Sequence, residues 1–350
     1  MDDSAVTGST RGWAQPDSTI VDSGPPASGT AELEEARPHE LGALASVRRP
    51  LPALQWPPVD IGVRLRTTPW LHRLLPARLE VGRAERRGRQ TWERWPQDRA
   101  GFRAGMEAIV SGTGRAGELE PLTRAYLVES EVQRTLFWRP WEAASMDATT
   151  RAHLQAALAG GRGALLSICH LGPYFHSASL GHTLRRTVFT VGGPWCFADP
   201  TPDYWGRRQV RRMEGLRRQG GRMVPAAGSF AVLRALLETG ELVQIHFDVP
   251  GRHQTRFLGK PVMLTNGTAK LAVLADAAIV PLRFRRRGHR VWVDAHAPLD
   301  PRQHGSVEQL HEALAAVHER WILERPETLE DPRRTGFWKD ASAEGWPLSD

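Results

Sequence analysis

Lysine is almost missing from this chain: of its 46 basic residues only Lys260, Lys270 and Lys339 are lysines. Cysteine is scarcer still. Cys169 and Cys196 are too few for a disulfide framework, and such usage fits a reducing cytoplasm. No run reaches the roughly 18 apolar residues that a spanning helix needs, so any membrane contact is expected to be peripheral, at the inner face. The first residues, MDDSAVTGST, carry no basic segment followed by an apolar one, which argues against a secretory signal there. There is no GxGxxG fingerprint, no P-loop, no zinc-ligand spacing and no internal repeat, so neither a cofactor nor a metal is expected.

What is present is a chain of 350 residues, 41% apolar, with a net charge of +7 and a pI near 10.2. That is enough apolar material for a real core. Arginine in place of lysine is also what a GC-rich coding sequence writes. The positive field exists either way and favours anionic partners: a phosphopantetheine carrier, a phospholipid surface or a nucleic acid.

Residues 1–58 are rich in Ser, Pro, Gly, Ala and acids and read as a disordered leader. A single domain is expected over 59–340, with a helical part at 59–160, a sheet core at 161–325 and a short tail at 341–350. In the helical part, Ala125, Val128, Val132 and Leu136 recur at spacings of three and four, as on a half-buried helix. Beyond Gly160-Gly161 short apolar runs begin: ALLSI (164–168), TVFTV (187–191), ELVQIHF (241–247), AAIVPLRF (277–284) and RVWVDA (290–295). They alternate with helical stretches. This alternation predicts an α/β fold, a central and mostly parallel mixed sheet flanked by helices, with a helical N-terminal subregion. Val307, Leu310, Leu314, Val317 and Trp321 mark a closing amphipathic helix laid on the sheet.

In an open α/β sheet ligands gather at the carboxyl ends of the strands. His170 follows the strand ALLSI, Gly172 permits a tight turn, and Pro173 suits a first helical position. A histidine placed there can take a proton from a nucleophile. The stretch CHLGPYFHSA (169–178) resembles the His-x-Gly-Asn-Trp-Glu turn of the lysophospholipid acyltransferase superfamily, nearest its lipid A late acyltransferase and phosphatidylinositol mannoside acyltransferase branch. The resemblance runs over about 120–325 and continues in Asp248 at a strand end, Phe257-Leu258-Gly259-Lys260-Pro261, Gly267 and Pro281. It implies the glycerolipid acyltransferase type of α/β fold, with His170 as the general base that activates an acceptor against an acyl thioester.

One departure from the family pattern stands out. Where the family carries the acid that orients its histidine, this chain has Phe175, and the family's Asn-Trp is Pro173-Tyr174. Three readings stay open. Another acid orients His170, with Asp248 as the candidate. Or the acceptor is a nitrogen nucleophile, which needs less help from a base. Or the chain only binds. His176 is a poor substitute, because successive helix positions point about 100° apart.

The stretch 203–222 reads as a basic helix whose Arg208 and Arg212, with Tyr174, are expected to hold substrate. Arg252, His253 and Arg256 follow Asp248 on an expected loop that borders the same site. His246 shares the parity of Asp248 and joins the substrate-binding set. RFRRRGHR (283–290) is expected to extend the positive surface. Cys169 and His170 point to opposite faces as strand neighbours, so an inert buried thiol is expected there. The donor implied is an acyl-carrier protein or acyl-CoA, and the acceptor a small molecule or a lipid. Aminoacyl-tRNA is the alternative donor, although only Tyr204 and Trp205 on the basic helix could stack on bases.

Overall fold

The computed structural model describes residues 38–94, 96–139 and 143–333. Seven helices come first: α1 (Pro38–Arg48), α2 (Ile61–Arg66), α3 (Pro69–Leu74), α4 (Ala77–Arg94), α5 (Pro96–Val110), α6 (Leu119–Phe137) and α7 (Ala148–Leu158). The sheet region then runs β1 (Ala164–Ile168), α8 (Leu180–Leu184), β2 (Val188–Gly192), α9 (Tyr204–Arg218), β3 (Arg222–Pro225), α10 (Phe230–Glu238) and β4 (Leu242–His246). It closes with the hairpin β5 (Pro250–Phe257) and β6 (Lys260–Leu264), then α11 (Gly267–Ala275), β7 (Ile279–Arg287), β8 (Arg290–Ala295) and α12 (Val307–Glu324).

The main sheet has six strands in the order β3-β2-β4-β1-β7-β8. All neighbours pair in parallel except β7 with β8, which form an antiparallel edge. The fold is therefore α/β with a mostly parallel mixed sheet between helices, as the alternation of apolar runs predicts. Two expectations change. The leader boundary at residue 58 moves, because α1 lies within it and contacts α10 and β3, while Leu51 and Leu54 pack on Met213, Leu216 and Met223. Residues 1–37 and the tail at 341–350 lie outside the described residues. The stretch after Asp248 is not a loop but the β5–β6 hairpin, in register from His253 opposite Leu264 to Phe257 opposite Lys260.

The central strands feed two cores, because their side chains alternate between faces. Leu165, Cys169, Phe189, Val243 and Ile279 join the cluster built with α10, α11 and α12. Leu166, Ile168, Val188, Leu242 and Val280 join the cluster on the opposite face. The apolar stripe of α12 puts Leu310, Leu314, Val317 and Trp321 into the first of these. The topology fixes one special place. From β1 the chain crosses one face of the sheet to β2, and from β4 it crosses the other face to β7, in the opposite direction. At the carboxyl ends of these two adjacent strands the connections part and leave a crevice.

Candidate active site

His170 stands two residues past β1, and Asp248 two residues past β4, at that crevice. The Asp248 carboxylate grips the histidine twice. Its Oδ1 lies 3.0 Å from His170 Nδ1, and its Oδ2 accepts the His170 backbone N–H at 2.9 Å. The histidine side chain is 22% exposed and the aspartate only 3%. Burial alone would raise the aspartate's pKa, but the facing imidazole and the two hydrogen bonds lower it to about 2. An ionised carboxylate only accepts, so Nδ1 carries the proton and the Nε2 lone pair is left for other work. Burial would depress His170 as well; the charge of Asp248 outweighs it and raises the imidazole above its ordinary value.

The turn that carries His170 is held by backbone. Gly172 adopts φ +64°, and a Cβ there would come within 1.9 Å of the Phe284 carbonyl oxygen. Its N–H donates to Thr328 O at 2.8 Å, and Glu330 N–H donates to His170 O at 2.9 Å. The segment 328–330 thus clamps the turn from its far side.

Around His170 lie three of the five residues expected to bind substrate. His246 stacks on it at 4.1 Å between ring centroids, and Tyr174 meets both histidines edge-on at 5.2 Å. Burial and the neighbouring His170 hold His246 well below its ordinary pKa, so it is neutral. The Arg212 guanidinium lies 5.7 Å above the Tyr174 ring and 5.2 Å from that of Trp195, at the open side. Arg208, a fourth expected residue, reaches the same cluster through Glu330: its guanidinium donates to Glu330 Oε1 at 2.7 Å, and Tyr174 OH donates to Oε2 at 2.8 Å. Arg252 stands exposed on β5 rather than in this buried group.

Glu330 was not among the residues expected from sequence. It lies past the closing helix, and neither spacing nor parity ties it to His170; only the fold brings it back. Phe175 has another role than an acid's. Its ring packs edge-on against Phe137 at 5.0 Å, partly buried against the core beneath the turn. Cys169 is buried in the opposite cluster, with its thiol pKa pushed up by burial, in keeping with the inert thiol expected.

The basic stretches prove more inward than expected. On α9, Arg207 and Arg211 are buried; Arg207 bonds Thr67 and lies over Trp56, and Arg211 is 1% exposed against the Trp138 carbonyl. Asp203 caps this helix, accepting from Trp205 N and Gly206 N at 2.8 and 2.9 Å. The cluster 283–290 is largely neutralised: Arg283 and Arg285 pair with Asp294, and Arg286 with Glu129 and Glu85. These three arginines are half-buried on both faces of β7, and each is met there by an acid.

Residues 204–329 match the family of bacterial lipid A biosynthesis acyltransferases. Among solved structures, the 1-acyl-sn-glycerophosphate (LPA) acyltransferase PlsC from Thermotoga maritima is 14% identical, with a TM-score of 0.35, over 59% of this chain and 82% of that one. Among curated proteins none matches. The matched segment holds α9, β4 with Asp248, the hairpin and α12; the His170 turn lies before it.

Proposed function

We propose, from the match of residues 204–329 to the bacterial lipid A biosynthesis acyltransferases, that this chain transfers an acyl group from a carrier-borne thioester to a hydroxyl or amine, with His170 as general base. The observation that carries this reading is the Asp248 carboxylate on His170 Nδ1. It supplies from a neighbouring strand the orienting charge that residue 175 lacks. Asp248 fixes the tautomer with Nε2 unprotonated and steadies the imidazolium that forms once the proton has moved, the part played by the acid of a catalytic triad. With the base so equipped, a phenylalanine at 175 is no argument for a dead enzyme. It is no argument for a nitrogen acceptor either.

The step balances simply. The acceptor O–H or N–H gives its proton to Nε2 as its heavy atom attacks the thioester carbon. The C–S bond breaks, and the proton passes to the leaving thiolate. Arg212, at the open side above Tyr174, is placed to meet the phosphates of a pantetheine donor. Arg208 is engaged by Glu330 and serves to position Tyr174 rather than to hold donor directly. The inward turn of Arg207 and Arg211 removes the continuous basic stripe that a tRNA donor would have used.

The test offers the full-length protein an acyl-CoA and an acyl-carrier-protein thioester with a mixed set of alcohols and amines, and reads products by mass spectrometry. Acyl products that form with the wild type and are lost in His170→Ala support the reading. Products formed equally by both would sink it.

A further inference from the structure

On the sheet face that His170 shares, the strands change character as they approach the crevice. β2 places Val188 and then Thr190 on that face; β4 places Leu242, Gln244 and His246. The lower positions, Val188 and Leu242, are core. The upper ones form a polar floor. Thr190 is in register with Gln244 on one side and Met223 on the other, and His246 is two residues further along β4. All three are deeply buried: Thr190 and Gln244 are 2% exposed and His246 is 7%. Yet Thr190 Oγ1, Gln244 Oε1 and His246 Nε2 find no hydrogen-bond partner among the described residues.

A buried polar atom left unpaired costs the fold its whole desolvation penalty, and such atoms are few in folded proteins. Here three adjoin on one face of two paired strands, and the row ends at a ring stacked 4.1 Å from the His170 ring. Beyond Thr190 the row meets Met223, which packs with Ala178, Cys196, Met213 and Leu216 in an apolar cluster that offers these polar atoms no partner. An alkyl chain laid along this floor would leave them unmatched as well.

We propose that Thr190, Gln244 and His246 form a subsite for the transferred acyl group itself, and that this group is short and carries a hydroxyl or amine near its carbonyl. The inference rests on the acyl-transfer reading above and narrows its donor. Gln244 Oε1 accepts from the substituent and the Thr190 hydroxyl completes its pairing. The floor extends only ~7 Å below His246, two residues at roughly 3.3 Å each. With the acyl carbon beside His170 Nε2, that depth holds a short chain but not the length of a decanoyl group. A site built to hydrogen-bond a substrate discriminates strongly against the analogue that lacks the group, because its own polar atoms are then stranded.

The experiment uses N-acetylcysteamine thioesters of butanoate, 3-hydroxybutanoate, 2-aminobutanoate and decanoate, with hydroxylamine as acceptor. The hydroxamate is read by its iron complex, and the His170→Ala rate is subtracted as background. The expected result is a kcat/KM about tenfold or more higher for a hydroxy or amino donor than for butanoate. That preference should collapse in Thr190→Val/Gln244→Met, which keeps side-chain size and removes the polar atoms. Transfer that favours decanoate or plain butanoate would overturn the inference and leave the acyl-transfer reading standing. No transfer above background from any donor would overturn that reading and the inference with it. A double variant that melts lower but keeps the wild-type preference would make the floor structural and also refute the proposal.

Discussion

Replacing Asp248 by asparagine keeps the shape of the side chain that grips His170 and removes its charge. The new amide can still accept from the His170 backbone N–H, as Oδ2 does now. Toward the ring, however, it can donate from nitrogen, and a donor facing Nδ1 stabilises the tautomer with the proton on Nε2. That is the wrong nitrogen for a base. The carboxylate falls from an ordinary 3.8 to about 2 although burial alone would raise it, so the net shift is a lower bound on its coupling to its surroundings, His170 first among them. At 1.36 kcal/mol per unit this is about 2 kcal/mol, or tens of fold in rate if only the stabilisation of the imidazolium is lost. The tautomer error adds to it, so kcat should fall by about 10² to 10⁴, with KM little changed. The pH profile should move as well. Asp248 holds the His170 pKa above its ordinary value, so the acid limb of the wild-type kcat profile lies above pH 6.5. In Asp248→Asn that limb should slide to lower pH while the plateau drops. Steady-state kinetics across pH 5–9 check both. A variant with wild-type kcat and an unshifted limb would refute the dyad.

Placing glutamate at 175, the position of the acid in the resembling turn, should not rescue Asp248→Asn. The side chain there faces Phe137 in the core, so Phe175→Glu should lose about 2–4 kcal/mol of stability by urea melt and restore no activity. Gly172→Ala should cost about 3 kcal/mol by the same measurement, because its φ is positive and its Cβ would collide with Phe284 O. Stability should decline with acid well before the carboxylates titrate. His318 is buried against Ser167 Oγ at 2.9 Å, and burial depresses its pKa to about 3. The unfolded chain takes up that proton near pH 6.5 while the folded chain resists, so the stability tied to His318 is intact above 6.5 and drains away as pH falls toward 3. His318→Gln should abolish about 2 kcal/mol of the loss between pH 7 and pH 5, read by denaturant midpoints at each pH.

The fold was legible because the apolar runs are short, strand-like and separated by helical periodicity. The runs at 164–168 and 290–295 match β1 and β8 to the residue, and the others match to within a few positions. What escaped was local. β3 is only four residues long, RMVP, with too little alternation to read. The β5–β6 hairpin hides in charged sequence because much of it faces solvent. Helix α1 packs through contacts that composition cannot express, so it was lost in the Ser- and Pro-rich leader. At the site, parity and the position of strand ends sufficed to bring His170, Asp248 and His246 together. Glu330 arrives from a distant segment by backbone pairing at Leu171–Leu329, for which no local pattern exists. The arginine-rich helix misled, because residue counts do not say which face a guanidinium occupies.

Whether His170 moves the proton in an acyl transfer can be measured directly. The most direct test is the single-turnover rate of thiol release from an acyl-carrier-protein thioester in the presence of hydroxylamine, for the wild type and His170→Ala at equal enzyme. Rapid release by the wild type is expected, with hydroxamate formed in step, and a fall of about 10² to 10⁴ in the variant. Equal rates in the two proteins, with the variant folded by its melting curve, would contradict it.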